Sequence, residues 1–118
     1  MIVRGVVVEG KKLGRKLGFP TANILISEDL NVSNGVYRSE VKVAGTTYRA
    51  ITNVGNNPTT GVVSRRVESY IFDFKGDIYG QIIGVSLIAK IRGEIKFESI
   101  EMLRAQVLKD IELVKGRE

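Results

Sequence analysis

The chain of 118 residues has no cysteine, no histidine and no tryptophan, and only two prolines. Without cysteine there is no disulfide, no zinc–thiolate site and no thiol nucleophile, a composition compatible with a reducing compartment. Without histidine there is no Ser–His pair, no imidazole base and no histidine metal cluster, so proton transfer falls to a carboxylate, a lysine or a tyrosine. No apolar run has the length of a bilayer span, and Met1-Ile2-Val3-Arg4 lacks the regions of a signal peptide. The expectation is a soluble, cytoplasmic protein with no membrane partner. Thirteen scattered glycines and the lack of any repeat or biased segment leave no linker. Residues 1–118 therefore read as one domain, large enough to bury about two-thirds of its extended-chain surface.

Eighteen Lys and Arg against thirteen Asp and Glu give a net charge of +5, which attracts nucleic acid, a nucleotide or an acidic membrane equally. Placement is more informative than the total. Lys11, Lys12, Arg15 and Lys16 are interleaved with Gly10, Gly14 and Gly18, not with the stacking aromatics of a single-strand nucleic-acid platform, which favours a compact phosphate. Thr21 and Asn23 follow at once and offer neutral oxygens to a hard cation. Read locally, a charged loop leading into a strand accounts for the same residues.

Residues 2–8 are β-rich. Residues 36–43 alternate Tyr37, Ser39, Val41 and Val43 with Arg38, Glu40 and Lys42, the pattern of a half-buried antiparallel strand. Ala44-Gly45 reads as a tight turn into a partner strand over 46–54, and Asn56-Asn57-Pro58 as a loop. Further strands are expected over 67–74 and, as a long apolar run through the core, over 82–91. Alternation along 67–74 puts Glu68 on the face of Tyr70, Phe72 and Phe74. The one persuasive helix covers 99–115, with Ser99 as N-cap and a stripe of Ile100, Leu103, Val107, Ile111 and Val114. A helix that plugs a barrel would account for that stripe. The predicted class is mainly β: a small six-stranded antiparallel Greek-key-like barrel with one C-terminal helix.

The segment Leu17-Gly18-Phe19-Pro20-Thr21-Ala22-Asn23 behind Gly14-Arg15 closely resembles the signature of riboflavin kinases, and the resemblance runs nearly the length of the chain. It includes Asn34-Gly35-Val36-Tyr37, Asn53-Val54-Gly55 with Pro58-Thr59, Glu68 through Asp73-Phe74, Asp77-Ile78-Tyr79-Gly80, and Phe97-Glu98-Ser99-Ile100 with Leu103, Gln106 and Asp110. It implies transfer of the γ-phosphate of ATP to riboflavin, giving FMN and ADP, with Mg²⁺ as the metal. CTP-dependent archaeal flavokinases carry a different signature.

The resemblance also implies roles for individual residues. Thr21 and Asn23 would hold Mg²⁺ and phosphates beneath a flap containing Gly10, Lys11, Gly14, Arg15, Lys16 and Gly18. Glu68 would accept the proton of the ribityl 5′-hydroxyl. Tyr70, Phe74 and Tyr79 would lie on the nucleotide side, and Arg92 and Phe97 on the flavin side. Tyr70 stands where related chains commonly carry histidine. Many bacterial relatives are fused to an FMN adenylyltransferase with an HxGH motif, which a chain without histidine cannot supply. The expected protein is thus a monomeric kinase of small molecules that makes no FAD and has no nucleic-acid partner. The alternative is a non-enzymatic basic β-barrel that binds nucleic acid.

Overall fold

The structure, a computed structural model, describes residues 2–8, 21–27, 31–56, 64–74 and 76–116. Six strands, β1 (Ile2–Val6), β2 (Ala22–Ser27), β3 (Gly35–Val43), β4 (Thr46–Asn56), β5 (Ser64–Ile71) and β6 (Ile82–Arg92), precede helix α1 (Ile100–Lys115). They form one antiparallel sheet in the order β1-β6-β3-β4-β5-β2. Strands β3, β4 and β5 follow one another, and β6 returns to lie beside β3, which is the Greek-key arrangement. A bridge from Val8 to Asn23, with the Val8 N–H donating to the Asn23 carbonyl at 2.8 Å, joins the two ends of the sheet and nearly closes the barrel. None of the helices among the described residues is long and apolar enough to cross a membrane.

The expected alternation holds in β3, where Tyr37, Ser39, Val41 and Val43 are buried while Glu40 and Lys42 are exposed. Ala44 and Gly45 both have positive φ, 48° and 85°, the geometry of a two-residue hairpin whose twist suits its strands. Ile24, Val41, Val54, Val67, Ile83 and Val85 fill the barrel interior with almost no exposure. Within that apolar interior Ser39 Oγ, Thr52 Oγ1 and Ser69 Oγ form a chain of 2.7 Å hydrogen bonds across β3, β4 and β5. Each hydroxyl supplies the partner its neighbour lost on leaving water.

Three expectations need correction. Strand β6 is buried on one face only: Ile83, Val85 and Leu87 point inward, whereas Ile82 and Ile88 are exposed, because no other described element packs on the far side of the sheet there. Strand β5 ends at Ile71 rather than running to Phe74, and the chain turns at Asp73, with φ of 58°. The turn carries Phe74 round to the inner cluster, edge-on to Tyr48 with centroids 5.1 Å apart, away from the side of Tyr70 and Phe72. Finally, α1 does not plug the barrel. Its end packs Val114 against Val36, Ile51 and Phe72 on the outside of the sheet. Ser99 caps it as expected, its side chain accepting from the Met102 N–H at 3.2 Å.

Candidate active site

The side of the sheet that meets α1 carries a row of residues in cross-strand register. Arg92 of β6 opposes Val36 of β3, Val36 opposes Asn53 of β4, Asn53 opposes Glu68 of β5, and Glu68 opposes Asn23 of β2. Directly opposed residues keep their Cβ atoms about 5 Å apart on one face, so five strands present one continuous line of side chains. One step along the strands lies an apolar pair, Ile51 and Tyr70. Two register shifts between β3 and β6 make the row possible. At the one between Val36 and Tyr37, Ile91 and Arg92 both turn towards the helix side, Ile91 onto the outer apolar cluster and Arg92 into the cleft, as a bulge permits.

Above this floor is a cleft of about 590 Å³ lined by Thr21, Asn53, Glu68, Tyr70, Arg92, residues 94–97 and the helical side chains Leu103, Val107, Asp110 and Ile111. That volume lies within the range of small-molecule sites. The α1 stripe is thus divided: Val114 is core, whereas Leu103, Val107 and Ile111 form one wall of the cleft. Arg92 fastens that wall. Its guanidinium binds the Asp110 carboxylate through Nε (3.1 and 3.2 Å) and Nη2 (2.8 Å), and Gln106 donates to the same carboxylate at 3.0 Å. Asp110 is buried, and the forked geometry satisfies its charge. The cleft has two characters along the strand direction. Asn53 and Glu68 make a polar end, while Ile51, Tyr70, Ile95 and Phe97 offer surface to a flat apolar ring.

Of the expected site residues, Thr21, Glu68, Tyr70, Arg92 and Phe97 line this one cleft. Asn23 is the cross-strand neighbour of Glu68 and is buried, with its side-chain Oδ1 lacking a hydrogen-bond partner. Phe74 and Tyr79 do not line the cleft. Tyr79 is exposed, in a turn where its N–H donates to Asp77 Oδ1 and the adjoining Gly80 N–H donates to the Val7 carbonyl. That turn borders Val8 and, across the closing bridge, Asn23. Gly10, Lys11, Gly14, Arg15, Lys16 and Gly18 lie outside the described residues. Asn53, Glu94, Asp110 and the helical wall were not singled out as site residues. Asn53 was nonetheless discoverable, because the hairpin at Ala44-Gly45 fixes its pairing with Val36.

A family model for flavokinase, riboflavin kinase, matches residues 1–117. The chain belongs to the riboflavin kinase family. It is 42% identical over 113 residues to a bifunctional riboflavin kinase/FMN adenylyltransferase of Haemophilus influenzae, covering 95% of this chain and 37% of that protein. It is 44% identical over 117 residues to an RNA-binding riboflavin kinase of Bacillus subtilis, covering 98% and 50%. The chain therefore spans between about a third and a half of these relatives. A crystal structure of riboflavin kinase from Trypanosoma brucei superimposes with a TM-score of 0.65 at 25% identity, covering 98% of this chain and 77% of that one. A Streptococcus pneumoniae protein described as a macrolide-efflux protein gives a TM-score of 0.88 at 37% identity, over 99% of this chain and 39% of that one.

The residues present suit the Mg²⁺ that the family implies. A buried carboxamide oxygen without a partner is costly unless something electropositive meets it, and Asn23 Oδ1 is such an atom. Thr21 lies two residues before it, on the same face of the chain. Mg²⁺ held chiefly by substrate phosphates and water needs few protein ligands, and neutral oxygens such as these would suffice.

Proposed function

We propose that this chain phosphorylates riboflavin at its ribityl 5′-hydroxyl, with ATP as donor and FMN and ADP as products. The observation that carries the reading is the register Asn53–Glu68–Asn23. It sets a carboxylate between a cleft with apolar walls and a buried carboxamide oxygen that has no hydrogen-bond partner. Tyr70, placed by the resemblance on the nucleotide side, lines the same cleft as Ile95 and Phe97, so the ring of the acceptor would lie between these three and the helical wall, with its polyol chain running towards Glu68. The triphosphate would approach from the side of Thr21 and Asn23, which the Tyr79 turn borders through Val7 and Val8.

An alcohol is far less acidic than a carboxylic acid, so Glu68 does not preform an alkoxide. It orients the hydroxyl and accepts its proton as bonding to phosphorus advances, which a loose phosphoryl transfer allows. Thr21 and Asn23 are the residues that would hold Mg²⁺, which when bound offsets negative charge on the phosphoryl oxygens. The Arg92–Asp110 pair holds α1 against the sheet, so that the acceptor meets a preformed wall and most of the acceleration comes from alignment. Tyr70 offers a ring face and a hydroxyl but no imidazolium near neutral pH.

The chain has no histidine, so we assign these residues to the kinase step alone, without adenylyl transfer. We read the protein as a cytoplasmic monomer acting on small molecules rather than on nucleic acid. In support, its densest cations alternate with glycine and its cleft has the size of a vitamin rather than of a strand. The test is incubation with riboflavin and either MgATP or MgCTP, followed by chromatography. FMN with ATP alone is the expected result, and no FMN with either donor overturns the reading.

A further inference from the structure

Gly55 of β4 is outside the left-handed region of backbone space, so its conformation does not call for glycine. Its surroundings do. A Cβ at this position would sit 2.8 Å from Glu94 Oε1 and 4.0 Å from Asn53 Oδ1. The Glu94 carboxylate therefore lies down on the strand in the gap that Gly55 leaves, beside Asn53, whose opposite neighbour is Glu68. Glu94 also lines the cleft, and among the described residues its carboxylate has no hydrogen bond or ion pair. Glu94, Asn53 and Glu68 together make an end rich in acceptor oxygens. Acceptor oxygens so placed suit hydroxyl donors, and Arg66, opposite Gly55 on β5, keeps this end from being uniformly negative.

We propose that Glu94, seated by Gly55, is the specificity residue that reads the secondary hydroxyls of the acceptor's polyol chain. This rests on the kinase reading above and adds to it. A carboxylate accepts hydrogen bonds from hydroxyls more strongly than a neutral group does, and its seat on β4 fixes where along the chain those bonds form. Gly55 is a positioning residue that acts only through Glu94.

The experiment compares riboflavin with a flavin bearing a 5-hydroxypentyl chain, which keeps the terminal hydroxyl and lacks the secondary ones. The wild type should prefer riboflavin in kcat/KM, and Glu94→Ala should reduce that preference about tenfold. Gly55→Ala should reduce it similarly with its thermal midpoint unchanged or raised, since the new methyl displaces only the end of a flexible side chain and the backbone suits alanine. The double variant should be no worse than Glu94→Ala alone. A preference retained in Glu94→Ala, or additive losses in the double variant, overturns the assignment even if Gly55→Ala fails to fold. FMN formation by the wild type combined with an unaltered preference in Glu94→Ala removes Glu94 only. A wild type that makes no FMN removes the kinase reading and this inference with it.

Discussion

Along β5, Val67, Ser69 and Ile71 point into the barrel and are buried, whereas Arg66, Glu68 and Tyr70 point the other way and are only partly covered. The same division runs through β4, with Val54 and Thr52 inside and Asn53 and Ile51 outside. The inner face is closed and apolar, and its hydroxyls are bonded to one another. The outer face is roofed by α1 at one end and lines the cleft with Asn53, Glu68 and Tyr70. Strand periodicity thus lets neighbouring residues answer to separate demands, one set to cohesion and the other to a ligand.

Substitutions on the two faces should have separable consequences. The largest effect is expected at Glu68→Gln, which keeps size and hydrogen bonding but cannot accept the proton. Turnover should fall by about 10²–10⁴ while nucleotide and flavin still bind, as followed by FMN formation and by thermal shift with each ligand. Unchanged turnover would remove Glu68 from the chemistry. On the inner face, Ile24→Ala empties a fully buried position and should cost about 2–5 kcal/mol in urea unfolding, with little change in either KM. A selective rise in the KM for riboflavin would show that the two faces are not independent.

Thr52→Val breaks the hydroxyl chain at its centre and leaves Ser39 and Ser69 without their partner. A loss of about 1–3 kcal/mol is expected, again without a change in KM. The smallest effect on stability is expected at Tyr79→Ala, where the side chain is 61% exposed. It should shift the unfolding free energy by less than about 0.5 kcal/mol while raising the KM for ATP several-fold. An unaltered KM would take Tyr79 off the nucleotide side.

The inner face was largely legible in the sequence, because alternation in β3, the Ala44-Gly45 hairpin and the cap at Ser99 are short-range signals with a physical cause. The outer face was less so. The register shifts that turn both Ile91 and Arg92 towards the helix leave no mark in composition, since an extra residue in a strand looks like any other residue. The turn at Asp73 defeated the alternation that grouped Phe74 with Glu68, because a left-handed aspartate is a local event a period-two pattern does not register. Asp110 sits in an otherwise apolar stripe, and its partner Arg92 is 18 positions away in the chain. Only the packing of α1 on the sheet explains why a charged residue is buried there. The family resemblance brought Thr21, Glu68, Arg92 and Phe97 forward together. It includes Asn53 among the matching segments but implies no role for Asn53 or Glu94, which owe their place to cross-strand register and to a missing methyl group.

Asn23 faces two ways. Its backbone carbonyl receives the Val8 amide and fastens the seam between the first and last strands of the ring, while its buried side-chain oxygen has no hydrogen-bond partner. One residue thus holds both the seam and the side-chain oxygen to which the proposal assigns the cation. On the proposed reading, a nucleotide that draws on the carboxamide would also tighten the hoop around the barrel, and amide exchange at Val8 should slow when MgATP is added.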